Sequence, residues 1–391
     1  MTQTVTPWHH LPRPRQTGAF TVVLGLVVVW GIFQILNPNF LSARNLTNLL
    51  LQIAVLGTLA VGMVVVLVVG EIDLSVGAIA GVSAASLAIM ITDHGVPAGI
   101  GIMGAILLGG VIGLIHGTVI TSTGVPSFII TLAGLLVWQG VQLALVGDGG
   151  QIPIRNDFIR AIASTYAVPG AGWALAVLAI LAFAGSRALR RARRIRLNLD
   201  VAPLSADLAA TAAVAVFALA VTWLLNSYFG IPWVFVLLFL LVICVGSMMS
   251  HTLLGRHIYA IGGNREAARR SGIRVGSTII GVFVLVSMIA AAAGIIEASR
   301  QFSASNALGG GTLQLNAIAA AVIGGTSLFG GRGRAYHAFL GALVVGSVAN
   351  GLDLLGQPAA VKNIATGVIL VIAVVLDAIG RRRRLARGAL D

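Results

Sequence analysis

The sequence predicts an all-α, polytopic membrane protein, a bundle of about 10–12 transmembrane helices. Three observations carry this. Hydrophobic residues make up 58% of the 391 and charged residues 9%, with a mean hydropathy of +0.99; a soluble domain carries roughly 25% charged residues. Apolar runs of about 20 residues, long enough to cross a bilayer, recur along the whole chain. The arginines gather between those runs rather than over a water-facing surface.

In chain order, residues 1–18 form a polar, slightly basic tail. The apolar run behind it has no small-residue cleavage site and reads as a retained anchor, not a removed signal peptide. Candidate crossings lie at 19–36, 49–69, 72–91, 98–121, 126–146, 169–185, 206–225, 232–250, 277–298, 314–330, 336–351 and 361–379. The segments flanking 70–71 and 331–335 also fit broken or re-entrant helices. The membrane domain covers 19–379, with a long polar loop at 251–276, and 380–391 is a basic tail.

The positive-inside rule tests that count. With the N-terminus in the cytoplasm, 20 of the 25 basic residues fall on the inside. An even number of crossings, with both ends inside, preserves this bias. The net charge of +13 therefore reflects topology and does not call for nucleic acid; Lys362 is the only lysine.

Composition and motifs remove several functions. A P-loop needs Gly-Lys-Ser/Thr, and Lys362 is followed by Asn363. ATP, if it drives this protein, is bound elsewhere. The histidines form no H-E-x-x-H pair or metal-ligand spacing, so an enzyme is not expected. Cys244 stands alone. An ion-coupled carrier needs buried ionisable groups, and only Glu71, Asp73 and Glu297 are placed to serve. That leaves a carrier as the alternative reading.

Small residues carry the packing signal. Gly109, Gly113 and Gly117 recur every four residues, as do Gly77 and Gly81, a spacing that lets membrane helices approach closely. A faint repeat relates AVGMVVVLVVGEIDLSVGAIAG to AIAAAVIGGTSLFGGRGRAYHAFLGA. In each, two apolar runs meet at a polar hinge, and both hinges are expected to run in the same direction.

The loop HTLLGRHIYAIGGNREAARRSGIRVGS contains a short helix-forming stretch. Asn264 can cap its start and Gly272 can end it. Glu266 and Arg270, four apart, share a face. A short capped helix on a loop suits docking into a partner's groove.

This loop resembles the coupling-loop signature of carbohydrate-importing ABC permeases. LSARNLTNLL, GEIDLSVGA, VPSFIITLAGLL (125–136) and LNAIAAAVIGGTSLFGG (315–331) follow in that family's order, so the resemblance covers about 20–379. Its extra Arg-rich segment, 187–225, is similar to the xylose-type branch. One departure is GGRGRAYHAFLG, where relatives continue with small residues; Arg332, Arg334 and His337 put close backbone packing at that turn in doubt.

The resemblance implies a type II ABC importer-like permease subunit in a bacterial cytoplasmic (inner) membrane, without cofactors or chemistry of its own. Its partners are a second permease copy, membrane lipid, an extracytoplasmic sugar-binding protein and an ATPase subunit that binds the ATP. Gly263, Asn264, Glu266, Ala267, Arg269, Arg270 and Gly272 would form the ATPase-docking stretch. Glu71, Asp73 and Ser75 lie at a hinge. Asp73 or Ser75 can cap the third helix; the other reading has these acids lining the exit or meeting the loop's arginines. Trp138, Gln139, Gln142 and Asn316 are candidates for a sugar pathway, where a neutral polyol needs hydroxyl-matching groups. A permease for a non-sugar solute remains a further alternative.

Overall fold

The structure, a computed structural model, describes residues 17–388. Its helices are α1 (Thr17–Leu36), α2 (Ala43–Val68), α3 (Val76–Thr92), α4 (Ala98–Thr123), α5 (Ser127–Val146), α6 (Asp157–Ser164), α7 (Pro169–Arg196), α8 (Leu204–Asn226), α9 (Trp233–His251), α10 (Leu253–Gly263), α11 (Arg265–Arg270), α12 (Val275–Gln301), α13 (Gly311–Ile323), α14 (Ala335–Leu354) and α15 (Ala359–Gly388). Two short strands, β1 (Gln151–Pro153) and β2 (Ser303–Ser305), pair antiparallel with Ile152 opposite Ala304. Residues 1–16 of the N-terminal tail lie outside the described residues, and residues 380–388 continue α15.

Each of the twelve apolar runs becomes helical, but two are too short to span. α3 has 17 residues and α13 has 13. At 1.5 Å per residue they reach about 26 and 20 Å, short of a roughly 30 Å hydrocarbon core. The predicted crossing at 72–91 is corrected at its start, because Gly70 takes a positive φ of 90° and the helix begins only at Val76. The crossing expected at 314–330 is corrected at its end. Gly324 and Gly325 close α13, with φ +97° at Gly325, and residues 324–334 form a hinge. Eight helices among the described residues (α2, α4, α5, α7, α8, α9, α12 and α14) are long and apolar enough to cross; the apolar stretches Val22–Leu36 of α1 and Ala359–Ile372 of α15 are shorter.

Both hinges of the expected repeat lie at one end, where Gly331 N donates to Val68 O, but the packing pairs other elements as units. Packing relates α2–α5 to α12–α15. α2 lies on α14 as α12 lies on α4; α3 packs against α4, α5 and α12, while α13 packs against α14, α15 and α2. The two units run in opposite directions. α2 ends, and α12 begins, at the end of the bundle that carries α10 and α11. An inverted pair of units, each with a discontinuous helix, is a common transporter plan.

α2 is the axis of the bundle, and 89% of its apolar window is buried. The α4–α12 pair supplies the other large internal contact. A side chain on Gly109 would meet the Ser287 carbonyl at 2.6 Å and one on Gly117 the Ile280 Cα at 2.8 Å. Gly113 sits against the Phe283 carbonyl in the same way. The four-residue glycine spacing thus lets two backbones touch where lipid offers no hydrophobic drive for helices to associate.

Candidate coupling site and solute path

The polar loop at 251–276 folds into two helices. Thr252 caps α10, its Oγ1 accepting from Gly255 N at 3.2 Å. Ile258 and Ile261 on one face of α10 are buried in the core. This helix escaped the sequence reading, which treated the segment as loop; the spacing of Leu254, Ile258 and Ile261 was its signal. Asn264 breaks the chain with φ −158° and caps α11, its Oδ1 accepting from Ala267 N at 2.9 Å. Gly272, at φ +82°, turns the chain away after α11. Glu266 pairs with Arg270 at 3.2 Å and with Arg269 at 3.5 Å, all three exposed. Gly263 and Ala267 are exposed, and Ala268 is the single buried residue of α11. The result is a short rigid helix, anchored on one side and open on the others.

Its mount is a seam of glycine backbones. A side chain on Gly262 would overlap the Val68 carbonyl and approach Gly331 N at 2.6 Å. Gly330 and Gly331 lie equally close to Gly262, and Gly331 N donates to Val68 O at 2.9 Å. Tyr259 OH donates to the Gly333 carbonyl at 2.6 Å; burial pushes its phenol pKa up, which keeps the proton on that donor. Close backbone packing thus survives at the turn bearing Arg332 and Arg334, since both arginines follow the two contacting glycines.

Residues 69–75 form the first hinge. Glu71, with 8% side-chain exposure, faces Arg265 at 3.0 Å. The expected side-chain cap on α3 is absent: Ser75 occupies the cap position and makes no cap bond. Instead Asp73 Oδ1 accepts from Ser75 N at 2.8 Å and from Ser75 Oγ at 2.6 Å, which ties the chain into a local turn. Asp73 Oδ2 is buried without a partner. Ser75 Oγ lies 3.3 Å from His116 Nδ1, and His116 Nε2 accepts from Trp138 Nε1 at 3.0 Å. Ile72 N and Leu74 N donate to Ser127 Oγ and Thr131 Oγ1, both at 3.0 Å. The hinge is therefore stitched to α4 and α5 by side chains, because its own backbone leaves helical geometry.

The pathway candidates separate in space. Trp138 belongs to the hinge network. Gln142, 2% exposed, donates to the Ser305 and Leu308 carbonyls at 2.9 and 2.8 Å. It therefore anchors the re-entrant loop 302–310, whose Gly309 meets Gly77 at the start of α3. Gln139 is half-buried on α5, and Asn316 on α13 holds a buried Oδ1 without a partner. Gln314, 3% exposed and also unpartnered at Oε1, lies beside Gly77 and was missed in the sequence.

At the opposite end from α11 lies a cleft of about 450 Å³, lined by the polar Asn45, Asn48, Gln52, Arg300, Asn350 and Asp353 together with Leu51 and Leu354. Asn45 Nδ2 donates to Asn350 Oδ1 at 2.8 Å at its base, and Arg300 is held by Glu297 at 2.7 Å. Amide side chains both donate and accept, so the lining suits hydroxyl groups. The sequence signal was the spacing 45, 48, 52 on one helix face. Among the described residues no group of three His, Cys, Asp or Glu side chains is arranged to hold a metal.

An inverted pair of helical units with two half-helices, and a short exposed helix at the end where the hinges lie, fits a membrane permease. The chain belongs to the family described as "Branched-chain amino acid transport system / permease component", which matches residues 45–374. It is 39% identical over 344 residues to the xylose transport system permease protein XylH of Escherichia coli K12, covering 88% of this chain and 87% of that one. It is 36% identical over 365 residues to the XylH of Haemophilus influenzae, covering 93% and 97%. The ribose import permease protein RbsC of E. coli K12 is 33% identical over 355 residues, covering 91% and 92%. No solved structure matches.

Proposed function

We propose that this chain is the membrane-spanning subunit of an ATP-binding-cassette importer that moves a monosaccharide, a xylose-like pentose or a related sugar, into the cytoplasm. The observation that carries the reading is the mounting of α11. A capped, exposed helix follows directly on α10, whose Gly262 makes backbone seams with both hinges, the arrangement a gate needs when its drive comes from another subunit. Similarity to xylose and ribose permeases over most of the chain supports a sugar as the solute.

In this reading the arginine-rich end faces the cytoplasm, both termini lie there, and the ATPase subunit receives Gly263–Gly272. The polar cleft opens toward an extracytoplasmic sugar-binding protein. A second permease copy completes the membrane unit. The chain itself performs no chemistry; ATP is bound and hydrolysed by the partner. Closure of the ATPase pair moves α11, and the hinges carry that motion to α3 and α13. Asn316, Gln139 and Gln314 offer hydroxyl-matching groups along the way.

The test is reconstitution of the permease with its ATPase and binding protein in proteoliposomes. ATP-dependent uptake of labelled xylose is expected, with none when the ATPase is omitted. Uphill accumulation by the permease alone would establish the ion-coupled carrier. ATP-driven uptake of a branched-chain amino acid, with no sugar uptake, would establish the non-sugar permease that the family description names.

A further inference from the structure

The contact between the docking element and the bundle has an unusual composition. Where α10 meets the hinges, the surfaces are glycine backbones: Gly262 on one side, Gly70, Gly330 and Gly331 on the other. Such a seam allows close approach, but it has no side chains to interlock. Packing of knobs into holes is what makes two helices move together. A smooth seam resists compression and offers little against sliding. Ile258 and Ile261 anchor α10 in the core, and polar side chains join it to the hinges themselves.

Side-chain ties cross the seam to both hinges. Tyr259 OH reaches the Gly333 carbonyl at 2.6 Å and binds α10 to the second hinge. Arg265 Nη1 reaches Glu71 Oε1 at 3.0 Å and binds the start of α11 to the first hinge. The two members of that pair differ in environment. Glu71 has 8% side-chain exposure and Arg265 has 51%. A carboxylate placed that deep needs its partner, since removing one member leaves an uncompensated buried charge. Glu71 also sits two residues before Asp73, the first member of the buried chain that runs through Ser75 and His116 to Trp138.

We infer that Glu71 and Arg265 form the tie that transmits movement of α11 to the half-helix α3. Arg265 is a positioning residue that acts through Glu71 and touches no solute. The inference rests on α11 being the ATPase-docking element. It adds that the push reaches the two half-helices by separate ties, the Glu71–Arg265 pair for α3 and the Tyr259–Gly333 bond for the α13–α14 hinge. It also explains why the first hinge carries an acid at position 71 as well as Asp73.

The experiment measures sugar molecules taken up per ATP hydrolysed by the complete complex in proteoliposomes. Arg265→Gln, a half-exposed change that leaves folding intact, is expected to lower that ratio about tenfold, within the usual range of coupling factors, while the ATPase still co-purifies. Arg265→Lys keeps the charge and should restore most of the ratio. Glu71→Gln should match Arg265→Gln, and the double variant should lose no more than the worse single, as for two residues acting through one contact. A purely structural role would lower the amount of complex and leave uptake per ATP alone. The tie is overturned if Arg265→Gln keeps the wild-type ratio, or if the double variant loses the product of the single losses. A wild-type complex that hydrolyses ATP without any uptake overturns the importer reading and the tie together.

Discussion

α2 and α8 are both long, apolar and free of charge through their spanning windows, yet 89% of the α2 window is buried and only 11% of the α8 window. Hydropathy cannot separate them, because a lipid tail and a neighbouring helix are equally dry. What separates them is glycine and the partners it admits: α8 is rich in alanine but holds no glycine. Gly57 and Gly62 of α2 sit against Leu238 and Ile289 side chains, while the exposed Phe217 and Val216 of α8 face outward. α7 and α8 form a hairpin of their own, tied at one end by Asp207 to Arg187 and Arg191, and they touch the bundle mainly through α2. The central helix is defined by backbone approach and the peripheral one by exposure to lipid.

That contrast can be broken most severely at the glycine seam. Gly262→Ala places a methyl group on the Val68 carbonyl. Both neighbours are backbone and cannot turn aside, so the variant should cost more than about 3 kcal/mol locally and abolish ATP-driven uptake. Thermal unfolding in nanodiscs and uptake check it together. A fully active Gly262→Ala would mean that the seam is looser than the contacts of Gly262 with Val68 and Gly331 imply.

A smaller loss is expected at Gln142→Leu. The Ser305 and Leu308 carbonyls lose their donor inside the bundle, at about 1–3 kcal/mol. The re-entrant loop 302–310 should then become accessible to a water-soluble thiol reagent when a cysteine is placed at Ala307 in a Cys244→Ser background. Unchanged labelling would remove the anchoring role.

Asn264→Ala deletes the cap of α11 and should cost about 1 kcal/mol of local helix stability. Global unfolding should barely move, because the helix is exposed, while uptake per ATP falls. Equal loss at both would show that the bundle depends on α11 to fold. Phe217→Ala on α8 closes the series. A lipid-facing truncation of this kind should change stability by no more than about 0.5 kcal/mol and leave uptake unaltered. A large effect would mean that a protein partner covers this face.

Much of this architecture was readable without coordinates. Long apolar runs mark helices because no other backbone arrangement of this composition satisfies its hydrogen bonds in lipid. The Asn264 cap and the Gly272 turn were legible because both are local, set by residues within one helical turn of each other. α10 escaped notice because its apolar face is narrow and its other side is polar. The half-length of α3 and α13 was legible only as the alternative of broken helices flanking 70–71 and 331–335, because valine, isoleucine and alanine continue to look spanning where Gly70 and Gly325 have already turned the chain. The role of Gln142 was beyond reach, since its partner lies 163 residues away at Ser305; the contact of Glu71 with Arg265 was legible only as one of two readings of the hinge acids, because charge complementarity alone does not say which arginine lies near.

By itself, then, the order of residues determined that the chain is helical and apolar enough to live in a bilayer, that its arginines favour one side, and that a short capped helix projects from a polar loop. The tertiary structure alone decided which apolar helices lie at the centre, which stop halfway, and which glycines meet across the seam. The reason is physical. Transfer from water to an apolar medium is additive along a chain and can be summed from sequence. Close packing between helices already in that medium depends on which backbones face one another, and only the folded arrangement specifies that.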